Sequence, residues 1–326
     1  MKLVTPLTDI KDFQVLRESG ADEFYLGYIP YSWLGKYFNH LPLNGRERMY
    51  ADFSFHSSSS IKKLREISDG VELYITLNAH YYNEEAYQEI LTLVDCLYEL
   101  DYKKFIVADY NLILLLSHRY EGMELAISGD MGLFNSLALE YVADQHVKRM
   151  IFPRKTPLAE MRQMIKNTKK YNLEYEAFAL NELCYFSGAF CNAYHCDELL
   201  RICRLPKKLV AQNGTVMKEE NFQKRQSNLS SNTDTEAYVL GKSGCGLCKI
   251  KEMQSIGVTH LKLVGRGKKT GHLIQDIKIM KELMNSEITR SSEFEDYVRK
   301  AVYQNHCPKD CYYVDRNLSL SWGISE

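Results

Sequence analysis

"KLVTPLTDIKDFQVLRESGADEFYLG", residues 2–27, is the stretch whose reading decides the fold. KLVTPL is a short apolar run of strand type. DIKDFQVLRESG follows, with Asp9 placed to cap a helix and Gly20 placed to stop it. DEFYLG is then a second strand-like run. A strand, a helix and a strand in this order imply parallel strands joined by a crossover helix. The same alternation continues through VELYITLN (71–78), KKFIVAD (103–109), MELAISGD (123–130), VKRMIFPR (147–154), LEYEAFAL (173–180) and THLKLVGR (259–266). Amphipathic segments at 84–100, 134–143 and 157–169 lie between them, with apolar residues at three- and four-residue steps. Eight strand candidates in alternation favour a closed (β/α)8 TIM-like barrel over an open doubly wound sheet.

Two regions break the rhythm. About eighty residues separate the seventh strand candidate from the eighth. They hold a cysteine-rich stretch and then QNGTVMKEENFQKRQSNLSSNTDTEAY (212–238), which is polar and reads as a long loop, lid or flexible segment. Beyond residue 285 comes a helix near 291–303 and then NHCPKDCYYVDRNLSLSW. The expected organisation is a barrel over 1–285, including an insertion at 181–245, and a C-terminal extension over 286–326 with a Cys-x3-Cys pair. In such a barrel the loops after the strands build the active site at the C-terminal face. The cysteines fall in those loops.

With 326 residues, 45% of them apolar, the chain can bury a sizeable core. A net charge of −1 gives no broad basic footprint, so long RNA and anionic membranes are disfavoured as partners. MKLVTPLTDIKDF lacks the apolar core of a signal peptide, and no apolar run approaches a membrane span. A cytoplasmic location is expected.

Nine cysteines in a reducing compartment do not suggest a disulfide framework. Cys96, in LVDCLYEL, reads as a small buried hydrophobe. The other eight fall in groups: Cys184, Cys191, Cys196 and Cys203; Cys245 and Cys248; Cys307 and Cys311. Grouping favours metal binding over packing. Thiolates suit zinc, Cu(I) or iron–sulfur clusters. Closed zinc sites use two close pairs, and CGLC (245–248) is one Cys-x2-Cys pair. A cluster tolerates more scattered ligands, and spacing alone favours it only slightly.

EAFALNELCYFSGAFC (176–191) resembles the signature of the U32 peptidase-like family through Glu176, Phe178, Cys184, Ser187, Gly188 and Cys191. CRLP (203–206) is similar to the family's later Cys-Arg-x-Pro. GLCKIKEMQSIGVTHLKLVGRGKKT (246–270) is similar to its closing element, through Cys248, Lys262, Gly265 and Arg266. The resemblance spans roughly residues 1–280. It implies a barrel carrying a [4Fe–4S] cluster on Cys184, Cys191, Cys248 and either Cys203 or Cys196, with Cys203 the better local match. Two positions depart from the pattern: Leu180-Asn181 replace the family's His-Gly, and Val264 replaces an acidic residue. Cys196, Cys245, Cys307 and Cys311 are left over for a second cluster, a zinc site or idle thiols. The family includes collagenase-like peptidases, partners in oxygen-independent hydroxylation of quinone precursors, and RNA base hydroxylases.

The implied function is iron–sulfur-dependent hydroxylation, or a related modification, of an organic substrate such as an RNA base, a peptide or a quinone. A carboxylate-bearing co-substrate and a homo- or heteromeric family partner belong to the same reading. The alternatives are a peptidase, with or without a metal, and a non-catalytic cluster subunit. The sequence contains neither H-E-x-x-H nor G-x-S-x-G. His195 beside Cys196 is a weak nucleophile pair, because sequence neighbours seldom face each other in such sites. The strand ends supply Tyr25, Asn78, Asp109, Ser128, Asp130 and Arg154. Glu176, Arg154, Lys262 and Arg266 are the candidate catalytic residues, and the two arginines suit a carboxylate or phosphate clamp. GRGKKTG (265–271) is a weak phosphate-loop candidate, with Lys268 and Lys269 expected in solvent. The tyrosine-rich stretches EFYLGYIPYSWLGKYF and HYYNEEAY read as core or interface aromatics ahead of stacking platforms.

Overall fold

The computed structural model describes residues 1–37, 41–45, 53–184, 188–191, 208–210, 216–219, 238–308 and 310–313. Its strands are β1 (Lys2–Pro6), β2 (Glu23–Leu26), β3 (Glu72–Leu77), β4 (Lys104–Val107), β5 (Glu124–Ile127), β6 (Val147–Ile151), β7 (Glu174–Leu180), β8 (Lys208–Val210), β9 (Val216–Glu219) and β10 (His260–Leu263). Strands β1 to β7 pair in chain order, and β10 closes the ring between β7 and β1. Every pair in the ring is parallel. The chain is thus a (β/α)8 barrel, and all eight strand candidates take part.

The helices are α1 (Phe13–Glu18), α2 (Tyr31–Tyr37), α3 (Ser58–Ile67), α4 (Glu84–Glu99), α5 (Tyr110–Arg119), α6 (Ser136–Ala143), α7 (Leu158–Asn167), α8 (Ile250–Ile256), α9 (Thr270–Met284) and α10 (Ser291–Tyr297). Local chemistry sets several starts. The side chains of Asn83, Asp109 and Asn135 accept hydrogen bonds from the backbone N–H groups of Ala86, Leu112 and Ala138. Each satisfies an amide that the first turn leaves unpaired. Asp9 caps a single 3-10 turn ahead of α1, and Gly20 takes φ +117° just after it. Helix α4 buries Ala86, Ile90, Leu91, Val94 and Leu97 on one face.

Several expectations need correction. Asp109, a candidate for the site, is the cap of α5 and also accepts from the Tyr87 hydroxyl at 2.9 Å. Cys96 is exposed, because it lies off the buried face of α4. The polar stretch after residue 212 is not all loop: β9 lies in it and pairs antiparallel with β8. Cross-strand pairing overrides the polar composition around it. Lys268 is not a free solvent cation; its Nζ lies 3.2 Å from the buried Asp276 carboxylate. The aromatic reading holds as expected: most of the aromatic residues in 24–37 pack inward, including Tyr25, Tyr28, Trp33 and Tyr37, while Tyr31 and Tyr81 are exposed.

The C-terminal extension is built into the barrel rim. Tyr312 Oη donates to the Asn181 carbonyl at 2.5 Å, and Tyr313 Oη donates to the Phe178 carbonyl at 2.6 Å. Both rings are buried. A Cβ at Gly246 would lie 2.7 Å from the Tyr313 ring. Gly246→Ala is therefore expected to cost about 1–3 kcal/mol through overpacking. Urea denaturation monitored by circular dichroism would measure the shift.

Candidate active site

A cavity opens at the C-terminal mouth of the barrel. Its wall includes Tyr25, Asn78, Ser128, Asp130, Arg154, Lys262 and Arg266, so the strand-end residues converge as expected, Asp109 excepted. Phe178 of the 176–191 motif also lines it, as do Thr76 and Glu182, which were not foreseen, and Ile106, Gly129, Ile151 and Val264 make up the rest. Thr76 and Phe178 are interior positions of β3 and β7 whose direction becomes clear only once the barrel closes. Three cations face one small space. Arg154 lies over the Phe178 ring, its Cζ 4.1 Å from the centroid, and 3.7 Å from the Asp130 carboxylate. Arg266 stands over the Tyr25 ring at 5.4 Å and donates to Thr76 Oγ1 at 3.3 Å. Lys262 Nζ sits 3.9 Å from the centroid of the same Tyr25 ring. Two buried wall atoms, Arg154 Nε and Asn78 Oδ1, have no hydrogen-bond partner among the described residues.

Glu176 is not part of the wall but lies one layer beneath it. Its carboxylate accepts from Lys262 Nζ at 2.7 Å on one side and from Arg149 Nη1 at 3.0 Å on the other. Arg149 also reaches Glu23 at 2.7 Å and Glu174 at 2.8 Å, and His260 Nε2 lies 2.9 Å from Arg149 Nη2. A column of alternating charge thus runs along the barrel axis. Burial alone pushes the Glu176 carboxyl up, but the charges of Lys262 and Arg149 outweigh it and hold the group below its usual range. Burial pulls Lys262 below its ordinary value, with Glu176 opposing. Glu176 therefore fixes one donor of Lys262, whose side chain lines the cavity.

The two departures from the family pattern have physical readings. Asn181 takes φ +69°, a left-handed conformation that glycine adopts freely and asparagine tolerates. Its amide donates to the Val264 carbonyl at 3.0 Å and to Asp276 at 2.8 Å, which ties β7 to the β10 end. Leu180 is buried in the core. Val264 lines the cavity as an apolar side chain.

The cysteines divide by position. Cys184 follows β7 directly, past the wall residue Glu182. Cys191 closes the turn at 188–191, where its N–H donates to the Gly188 carbonyl at 3.1 Å. This turn packs on the mouth: a Cβ at Gly188 would strike the Asp130 carboxylate, and a ring nitrogen of His80 bonds the Gly188 carbonyl at 2.7 Å. Cys203, Cys196 and His195 lie outside the described residues. Cys248 lies in the 3-10 turn Leu247–Lys249 and has Cys245 and Cys311 as electrostatic neighbours. Burial pushes the Cys245 thiol up to about 11 and the Cys248 thiol up to about 12. Such thiols are poor free nucleophiles. Among the described residues no three Cys, His, Asp or Glu side chains already stand in an arrangement that would hold a metal ion.

A parallel (β/α)8 barrel with a polar, cation-rich mouth defines an enzyme-like scaffold. The sequence profile of peptidase family U32 matches residues 8–317, and the chain belongs to that family. No curated protein sequence is significantly similar to it. Among solved structures it is similar to the U32 peptidase Mk0906, with a TM-score of 0.47 and 8% identity over 81% of this chain and 93% of that one. It is also similar to phosphoribosylanthranilate isomerase from Thermotoga maritima, with a TM-score of 0.41 and 10% identity over 88% of this chain and 99% of that one. No helix among the described residues is long and apolar enough to cross a membrane.

Proposed function

We propose that this protein is an iron–sulfur-dependent enzyme that modifies a carboxylate-bearing organic molecule at the barrel mouth. The observation that carries the substrate class is the convergence of Arg154, Lys262 and Arg266 on one cavity, with a buried Arg154 Nε still to be satisfied among the described residues. A guanidinium beside a second guanidinium suits a carboxylate, and Phe178 and Tyr25 offer ring faces for an unsaturated substrate body. Lys262, held from below by Glu176, is placed to donate to an oxygen that gains negative charge during reaction. Asn78 and Ser128 supply neutral polar contacts in the same cavity.

The cluster reading is supported by donor chemistry and placement. Cys184 and Cys191 lie beside the mouth, and all-thiol sets suit iron–sulfur clusters. Cys184 and Cys191 would hold the cluster together with Cys248 and with Cys203 or Cys196. When bound, such a cluster supplies redox or Lewis-acid chemistry next to the substrate. Hydroxylation without oxygen is the reaction class we favour over peptide hydrolysis.

The double variant Cys184→Ser/Cys191→Ser tests this. Purified anaerobically, it is expected to lose about four irons and matching sulfide per chain relative to the native sequence. Native protein with zinc and no sulfide would sink the cluster reading. Peptide hydrolysis that survives chelation and cluster loss would favour the peptidase instead.

A further inference from the structure

We infer that the Lys262 amine captures a 2-oxo acid covalently, as an imine, while Arg154 and Arg266 hold the acid's carboxylate. The inference rests on the carboxylate reading of the mouth and is independent of the cluster. The fold gathers the three cations around two rings. Lys262 pairs with Phe178 in the register between β10 and β7, and the Arg154 guanidinium lies over the Phe178 ring at 4.1 Å. Lys262 Nζ and the Arg266 guanidinium share the Tyr25 ring, at 3.9 Å and 5.4 Å from its centroid. All three side chains line the cavity. Arg154 Nε is buried there and lacks an acceptor among the described residues. A carboxylate resting on the two guanidiniums brings the carbon bonded to it close to the amine. In a 2-oxo acid that carbon is a carbonyl.

A lysine at this place, rather than a third arginine, gives the site covalent chemistry. A guanidinium keeps its proton in a protein, whereas an ammonium loses it readily once buried. The Lys262 side chain is only 8% exposed. Burial pulls the amine below its ordinary value; Glu176 opposes this, and the charges of Arg149 and Arg266 add to the pull. Desolvation beside other cations is one of the ways a lysine becomes a nucleophile. Glu176 accepts one N–H at 2.7 Å and so fixes the nitrogen. The step balances without a redox partner. Nζ bonds the carbonyl carbon, the C=N bond replaces the C=O bond, and two ammonium protons leave on that oxygen as water. The product is a protonated imine. Asp130 and Glu182 supply carboxylates to the same wall, the kind of group that relays such protons. Covalent capture splits one difficult step at the bound acid into two easier ones.

Pyruvate and sodium cyanoborohydride added to the full native chain test the inference, with peptide mapping by mass spectrometry as the readout. The reduced pyruvate adduct is expected on Lys262 ahead of Lys170, whose side chain is 63% exposed. Malonate is expected to slow it. Arg266→Ala is expected to slow adduct formation at Lys262 roughly 10-fold or more, through loss of a hydrogen bond to the carboxylate. Labelling of Lys262 no faster than Lys170 would overturn the inference. Pyruvate that competes with malonate in isothermal titration yet leaves no reducible adduct on Lys262 would overturn it too, with the carboxylate reading intact. Binding of neither acid would overturn both.

Discussion

Replacing Arg149 with alanine is expected to lower the stability of the folded chain by about 3–5 kcal/mol, because it leaves buried carboxylates without their cation. Arg149 is 2% exposed and faces Glu23 and Glu176, each with side chains 1% exposed. The effect has a predictable pH dependence. Burial pushes Glu23 up, but the His260 hydrogen bond and the Arg149 charge outweigh it, and Glu176 is likewise held low by Lys262 and Arg149. A depressed carboxylate contributes stability that is fully present above its unfolded value, near 4.5 for Glu, and is lost as pH falls through the folded value. The native chain should thus lose stability below about pH 4.5, where the variant can neutralise its orphaned carboxylates by protonation. The gap between the two should narrow on acidification. Urea titrations of both proteins at pH 7 and pH 4 would check this. A variant as stable as the native chain at pH 7 would refute the charge column as an energetic element.

Arg154→Ala is expected to weaken binding of a small dicarboxylate probe, malonate, by roughly 10- to 150-fold, the equivalent of about 1.5–3 kcal/mol for hydrogen bonds to a charged group. The guanidinium is nearly buried and braced by Phe178, so little ordering is left to complete on binding. Arg162→Ala is the control, since that side chain is 58% exposed on α7 and pairs loosely with Glu252. Isothermal titration of malonate should separate the two variants. Equal affinities in native and Arg154→Ala protein would remove Arg154 from the site.

The barrel was legible in the sequence because each strand is a short apolar run bounded by turn or cap residues. KKFIVAD and MELAISGD carry that signal without help from distant residues. The cap at Asp109 was legible in principle, yet a strand-end acid at a helix start serves equally as cap or site residue until its hydrogen bonds are seen. The charge column was not legible. Arg149 in VKRMIFPR and Glu23 in DEFYLG look like outer-face charges, and only ring closure turns them inward toward one another. Their pairing spans more than a hundred residues, beyond the reach of any local periodicity. For the same reason the cysteine groups could be counted but not matched. The Cys245–Cys311 bridge depends on the C-terminal segment returning to the end of β7. Lys262, Arg266 and Phe178 were found through their motifs, while Thr76 was found only through the fold.

The most direct measurement is anomalous diffraction at the iron edge from crystals grown anaerobically in malonate. The account predicts an iron peak beside Cys184 and Cys191, with a carboxylate resting on Arg154, Lys262 and Arg266. Crystals with no iron at those cysteines, or with malonate bound elsewhere and the mouth filled by water alone, would contradict it.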